Sequence, residues 1–183
     1  ELARNLVAAN QVKYVSADNA DLLSGDFILL TLHRAENVDD EPRMRALIDS
    51  LNAIDRRIVL PIHPRTRKTL EVSGIRLGNH VRVIQPVGYL EMTALLLNCD
   101  LVLTDSGGLQ KEAYWAKMPC ITLRTETEWI ETVKYGWNQI LGNDVSLLPN
   151  LIAHLSPPAE HPNFGNEQAA KTIAKTIAAQ ANH

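Results

Sequence analysis

The 183-residue chain has only two cysteines, Cys99 and Cys120. Two are too few for a disulfide framework. Each adjoins an apolar run, LLLNCDLVL and MPCITL, so both read as buried thiols of a reducing compartment, the cytoplasm. No apolar stretch reaches the length of a membrane span. No signal peptide is visible at Glu1. The chain opens without Met, at ELARNLVAANQ, and reads as an excised piece of a longer protein. An excess of one charge is lacking too. The formal net charge is -3, which leaves no electrostatic footprint for nucleic acid or an anionic membrane. Any anion must therefore be held by a local site. There is no internal repeat and no low-complexity tract. HExxH, CxxC and spaced His/Asp clusters are missing, so no metal site is expected. Missing as well are the Walker A loop, the GxGxxG fingerprint and the GxSxG elbow of a serine nucleophile.

What is present is ordinary for a globular domain: 45% hydrophobic and 21% charged residues. Short apolar runs rich in Val, Ile and Leu predict strands at Phe27–Leu32, Ile58–Ile62, Val81–Ile84, Leu101–Thr104 and Cys120–Leu123, with a weaker one near Asn138–Leu141. They hardly alternate, which suits strands buried on both faces of a parallel sheet. Helices are predicted at about Glu41–Ile54, Arg65–Ser73, Tyr89–Asn98, Gly108–Lys117, Glu128–Tyr135, Val145–His154 and Glu167–Gln180. Such alternation argues a doubly wound, Rossmann-like α/β domain. Residues 1–25 read as a linker with one helix leading into the domain, 26–155 as the domain, and 156–183 as a crossover loop and C-terminal helix.

In open α/β sheets, ligands bind beyond the carboxyl ends of the strands. The residues after successive strands are His33-Arg34-Ala35-Glu36-Asn37, His63-Pro64-Arg65, Gln85-Pro86-Val87-Gly88-Tyr89, Asp105-Ser106-Gly107-Gly108 and Arg124-Thr125-Glu126. The polar chemistry is concentrated on one edge of one sheet. Asp105–Gly108 is the sharpest element, because a strand runs into a glycine pair and a helix starts at once. The glycines allow close approach and unusual dihedrals. The helix N-terminus offers unpaired N–H groups and partial positive charge to a phosphate, and Ser106 adds a hydroxyl. Simple capping by Asp105 or Ser106 serves the same pattern equally well. Glu112, one turn into the helix, faces back toward the ligand edge, where a carboxylate accepts hydrogen bonds from ribose hydroxyls; taken without the surrounding motif it reads as a solvated helix residue. His33 and His63 end two different strands, each with an arginine within two residues, which points to an anion site. His80, His154, His161 and His183 read as surface residues.

The blocks TLHRAEN (Thr31–Asn37), PIHPRTR (Pro61–Arg67) and TDSGGLQKEA (Thr104–Ala113), followed by RTETEWIETVKYGWNQILG (Arg124–Gly142), resemble the non-hydrolysing UDP-N-acetylglucosamine 2-epimerases. The resemblance covers about residues 22 to 145. It implies the C-terminal half of a glycosyltransferase-B-type fold. It also implies that this half carries the UDP of a UDP-sugar, with a missing N-terminal domain as its partner and a homodimer as the full-length enzyme. By carry-over, Ser106, Gly107 and Gly108 hold the diphosphate and Glu112 the ribose. The backbone around Gln85–Tyr89 receives the uracil, and His33 sits by the diphosphate as the catalytic group of this half. Arg34 and His63 match positions that line a second, activating UDP-sugar site in some members. The family's reaction inverts C2 of the sugar through elimination of UDP to a glycal and its re-addition, without a cofactor. Its acid/base carboxylates lie in the other half, so this chain alone is expected to bind UDP without epimerising.

Two departures stand out. Many bacterial members read TERPE where this chain has Thr127-Glu128-Trp129-Ile130-Glu131, and the variant resembles members acting on modified sugars such as diacetamido-uronic acids, or archaeal-type members. Lys111 replaces a common glutamate and is expected to face solvent. A UDP-sugar binding module without catalysis, a glycosyltransferase donor domain and a hydrolysing epimerase are the alternatives.

Overall fold

A computed structural model describes residues 21–23 and 26–162, together with positions 173, 174 and 177. Six strands form one sheet: β1 (Ile28–Thr31), β2 (Ile58–Pro61), β3 (Val81–Ile84), β4 (Leu101–Thr104), β5 (Cys120–Thr122) and β6 (Asn138–Ile140). Every pairing is parallel, in the order β3-β2-β1-β4-β5-β6. This is the doubly wound order in which the chain direction reverses between β1 and β4. The helices are α1 (Ala35–Val38), α2 (Glu41–Asn52), α3 (Pro64–Ser73), α4 (Tyr89–Asn98), α5 (Gly107–Ala116), α6 (Ile130–Lys134) and α7 (Leu148–His154), the last preceded by a 3-10 turn at Val145–Leu147. The predicted strands and the helices between them are found, each within a few residues of its expected bounds. The four-residue α1 is additional. The helix expected at Glu167–Gln180 and the one in residues 1–25 lie largely outside the described residues.

The lack of alternation in the strands has the expected cause, since both faces of the sheet are covered. On one face, Ile28, Leu30 and Leu32 join Ile58, Leu60, Leu101, Leu103 and Ile121 under Met44, Leu47, Ile48 and Leu51 of α2. On the other face, Phe27, Leu29, Val59, Val102 and Cys120 meet Leu95 and Leu96 of α4, and Leu109 and Ala113 of α5. Leu22, in the segment read as linker, is fully buried against this second face. Successive residues of the central strands thus supply opposite cores, while the edge strand β3 leaves Arg82 and Val83 exposed. Both thiols are free and buried, Cys99 and Cys120 alike. Burial raises the Cys99 thiol to about 12 and lifts Cys120 further.

Local sequence sets the helix ends. Asp40 caps α2 by accepting the Arg43 N–H at 3.1 Å, with Pro42 in the first turn. His63 caps α3 ahead of Pro64, and α3 stops at Gly74, whose φ of +67° is the left-handed conformation glycine adopts freely. Among the described residues no helix is long and apolar enough to cross a membrane.

Candidate functional site

At the carboxyl ends of the strands, beside the reversal between β1 and β4, lies a cleft of about 320 Å³. This is the small end of the range for ligand sites. His33 and Leu32 after β1, His63 after β2, Pro86 and Val87 after β3, and Ser106, Gly108 and Glu112 after β4 all line it. The convergence expected from the strand ends is therefore present.

Asp105 holds these strand ends together. This residue is fully buried. Its Oδ2 accepts the backbone N–H of His33 at 2.9 Å and of Arg34 at 2.8 Å, and the Asn37 side-chain amide at 3.3 Å. Its Oδ1 lies 3.1 Å from His33 Nδ1. Burial pushes the carboxyl upward, but the His33 ring and the amides of Arg34 and His33 outweigh it, so its pKa lies below the ordinary aspartate value. Asp105 is thus not the cap of α5. It ties the turn after β1 to the end of β4 and aims the His33 ring. Asn37 extends the tie by donating to the Leu123 carbonyl at 2.8 Å and accepting from Arg43 Nε at 2.8 Å. Thr31 and Thr104 share a 2.5 Å hydrogen bond between their hydroxyls just below.

Ser106 is the cap of α5, accepting the Leu109 N–H at 3.5 Å. The N–H groups of Gly107 and Gly108 are first-turn amides that no helical carbonyl can satisfy. Neither glycine has a positive φ; among the described residues that occurs only at Gly74, Gly136, Gly142 and Lys117. The dihedral argument for this glycine pair therefore fails and the close-approach argument stands. A methyl group on Gly108 would meet nothing nearer than Ser106 Oγ at 3.9 Å, so the fold itself has room for it. Glu112 lies one turn on, half-buried, and burial raises its pKa. A single helix end thus presents free amides, a hydroxyl and a carboxylate to one space.

The remaining sequence-predicted residues sit around this space. His63 lines it, with its ring centroid 5.6 Å from that of His33. Gly107, unlike Ser106 and Gly108, does not line the cleft; its carbonyl accepts from Trp129 Nε1 at 2.7 Å. Arg34 is exposed, its guanidinium on the Gly107 side of the helix end. Gln85 and Tyr89 are exposed and do not line the cleft, whereas Pro86 and Val87 between them do. Across the helix end, buried Arg124 binds Glu36 at 2.9 Å and Glu128 at 3.0 and 3.1 Å. Lys111 is not left to solvent: its ammonium lies 4.5 Å from the Trp115 ring and 4.4 Å from the Trp129 ring. Nor is His161 a plain surface residue. It stacks on Tyr114, 4.3 Å between centroids, and contacts the Tyr114 carbonyl at 2.6 Å. Among the described residues no cluster of three His, Cys, Asp or Glu side chains could hold a metal.

Comparison with known proteins gives this geometry a context. The model of the UDP-N-acetylglucosamine 2-epimerase family matches residues 3–178. A UDP-N-acetylglucosamine 2-epimerase homolog from Methanococcus maripaludis is 42% identical over 166 residues, covering 87% of this chain and 46% of the relative. The UDP-2,3-diacetamido-2,3-dideoxy-D-glucuronate 2-epimerase of Pseudomonas aeruginosa is 53% identical over 119 residues, 63% of this chain and 33% of that enzyme. A crystal structure of Methanocaldococcus jannaschii UDP-GlcNAc 2-epimerase in complex with UDP-GlcNAc and UDP superposes with a TM-score of 0.78 at 33% identity. That match covers 97% of this chain and 52% of the crystallised one. The chain thus spans about half the length of these relatives, or less.

Proposed function

This chain belongs to the UDP-N-acetylglucosamine 2-epimerase family, and from that premise we propose that it is the UDP-binding, C-terminal half of such an enzyme. The parent would interconvert UDP-GlcNAc and UDP-ManNAc, or a related UDP-diacetamido sugar, by eliminating UDP and adding it back. The observation that carries this reading is the α5 N-terminus. Gly108 with its first-turn amide, the Ser106 hydroxyl and the Glu112 carboxylate line one cleft together with His33.

Each group has a task in that reaction. The helix end and Ser106 bind the diphosphate through N–H and O–H donors. Glu112 accepts the ribose hydroxyls, and the apolar strip of Pro86, Val87 and Met92 receives the base. Elimination places charge on the departing diphosphate, and His33 and the helix end stabilise that charge. A base at C2 is also required. Among the described residues Glu112 is the one carboxylate lining the cleft, and ribose occupies it. The acid/base groups therefore come from the rest of the enzyme, and this chain binds UDP without epimerising. Trp129 stands where many members have arginine, its indole hydrogen-bonded to Gly107, and the 53% identity over 119 residues to a UDP-2,3-diacetamido-2,3-dideoxy-D-glucuronate 2-epimerase supports a modified sugar.

Calorimetric titration of the chain with UDP tests the assignment. Saturable binding is expected, weakened by about 100-fold or more in a Ser106→Ala, Glu112→Ala variant, since each lost charge-assisted bond is worth about 1.5–3 kcal/mol. Unchanged binding in the variant would remove the nucleotide from this cleft.

A further inference from the structure

The two histidines of the cleft have opposite partners. His33 Nδ1 faces Asp105 Oδ1 at 3.1 Å. The contact is a charge contact and not an aligned hydrogen bond, but a bare Nδ1 lone pair at that distance would repel the ionised carboxylate, so that nitrogen carries the proton. His63 Nδ1 instead accepts the Arg65 N–H at 3.1 Å as the cap of α3. An accepting nitrogen carries no proton, so neutral His63 has its hydrogen on Nε2. The consequence is an asymmetry at the anion-facing edge. His63 offers an N–H while neutral, and a second proton would break its cap. Neutral His33 offers a bare Nε2 lone pair, which repels a phosphate oxygen. Its ring donates to an anion only after gaining a second proton.

We propose that binding of a nucleoside diphosphate or its sugar ester in this cleft takes up one proton from solvent onto His33, while His63 beside it stays neutral. The inference rests on the cleft being the diphosphate site. It makes Asp105 a positioning residue that fixes the tautomer and supports the imidazolium. The departing UDP then meets a full positive charge rather than a neutral donor.

The charged groups around His33 agree with this arrangement. Asp105 from the end of β4 favours the cation, and so does Glu112 on α5 across the cleft. His63, 5.6 Å away ahead of α3, disfavours a second charge on the pair. Arg34, next in the chain, lies toward Gly107, and Arg65 is paired with Asp39 at 2.9 Å. Histidine is the side chain whose ordinary titration falls in the range where a bound anion can move it.

Imidazole nitrogen-15 NMR on the whole 183-residue chain tests this, with His33 assigned through His33→Gln. Without ligand, neutral His33 should carry its proton on Nδ1 and His63 on Nε2. Saturating UDP-N-acetylglucosamine should move the His33 titration upward in pH by about one unit or more, a tenfold linkage. That ligand is chosen because its diphosphate is a diester, whereas a terminal phosphate ionises near pH 6 itself. Affinity should fall with rising pH, by at most about tenfold per unit for one linked proton. Asp105→Asn should abolish both the tautomer preference and the shift; if that variant does not fold, the wild-type titration still decides. An Nε2-protonated His33 in the free chain, or a His33 titration unmoved by bound ligand, overturns the inference while leaving the UDP site intact. Failure of the sugar nucleotide to bind overturns the reading of the cleft, and the inference with it.

Discussion

Replacing Gly108 by alanine should push stability and nucleotide affinity in opposite directions. Gly108 is in the first turn of α5, with no positive φ, and an added methyl would meet only Ser106 Oγ at 3.9 Å. Alanine in a helix is favoured over glycine by roughly 0.5–1 kcal/mol. In a chain of this size that raises Tm by about 1–4 °C. The methyl would stand in the cleft, between the first-turn amides and any phosphate they bind. Pushing the phosphate off one amide forfeits a charge-assisted hydrogen bond of about 1.5–3 kcal/mol, or about 10- to 100-fold in UDP affinity. Thermal unfolding followed by circular dichroism, with calorimetric UDP titration of the same samples, reads both numbers. A fall in Tm with unchanged UDP affinity would mean that the glycine serves the fold rather than a ligand.

Asp105→Ala should cost about 3–5 kcal/mol in urea unfolding, because it strands buried donors from His33, Arg34 and Asn37; a loss under about 1 kcal/mol would contradict the tie described above. Since its folded pKa lies below the ordinary value, the part of this contribution linked to the charge is full above that ordinary value and fades as pH falls through the folded one, so the gap between variant and wild type should narrow in acid. Glu112→Gln should weaken UDP binding by about tenfold with little change in Tm. For the wild type, UDP affinity should drop as pH falls through the raised Glu112 pKa, and a pH-independent affinity would speak against ribose contact. Cys99 and Cys120 should resist iodoacetamide at pH 8 in the folded chain and react in denaturant, as mass spectrometry would show.

Much of this architecture was legible in the sequence because parallel strands buried on both faces leave uninterrupted apolar runs, such as FILLTL and IVLPI. The strand ends then located the cleft, since a doubly wound sheet gathers them on one edge. What escaped were relations between residues distant in the chain. Asp105 looked like a helix cap; its partners are His33 and Arg34, some 70 positions earlier, and only the adjacency of β1 and β4 joins them. The proposed tautomer of His33 depends on the same long-range placement, whereas that of His63 follows from its local cap on Arg65. The helix α1 is four residues long, too short for any periodicity to declare. Lys111 reads as solvent-facing from helix position alone, yet Trp129 arrives from beyond β5 to cover it. His161 lies in a loop rich in proline, where nothing local foretells its stacking on Tyr114.

The most direct test of the central claim is a crystal structure of this chain grown with UDP. The diphosphate should lie against the amides of Gly107 and Gly108 and the Ser106 hydroxyl, with the ribose on Glu112 and His33 Nε2 within hydrogen-bond distance of a phosphate oxygen. UDP ordered elsewhere on the chain, with this cleft empty, would contradict it.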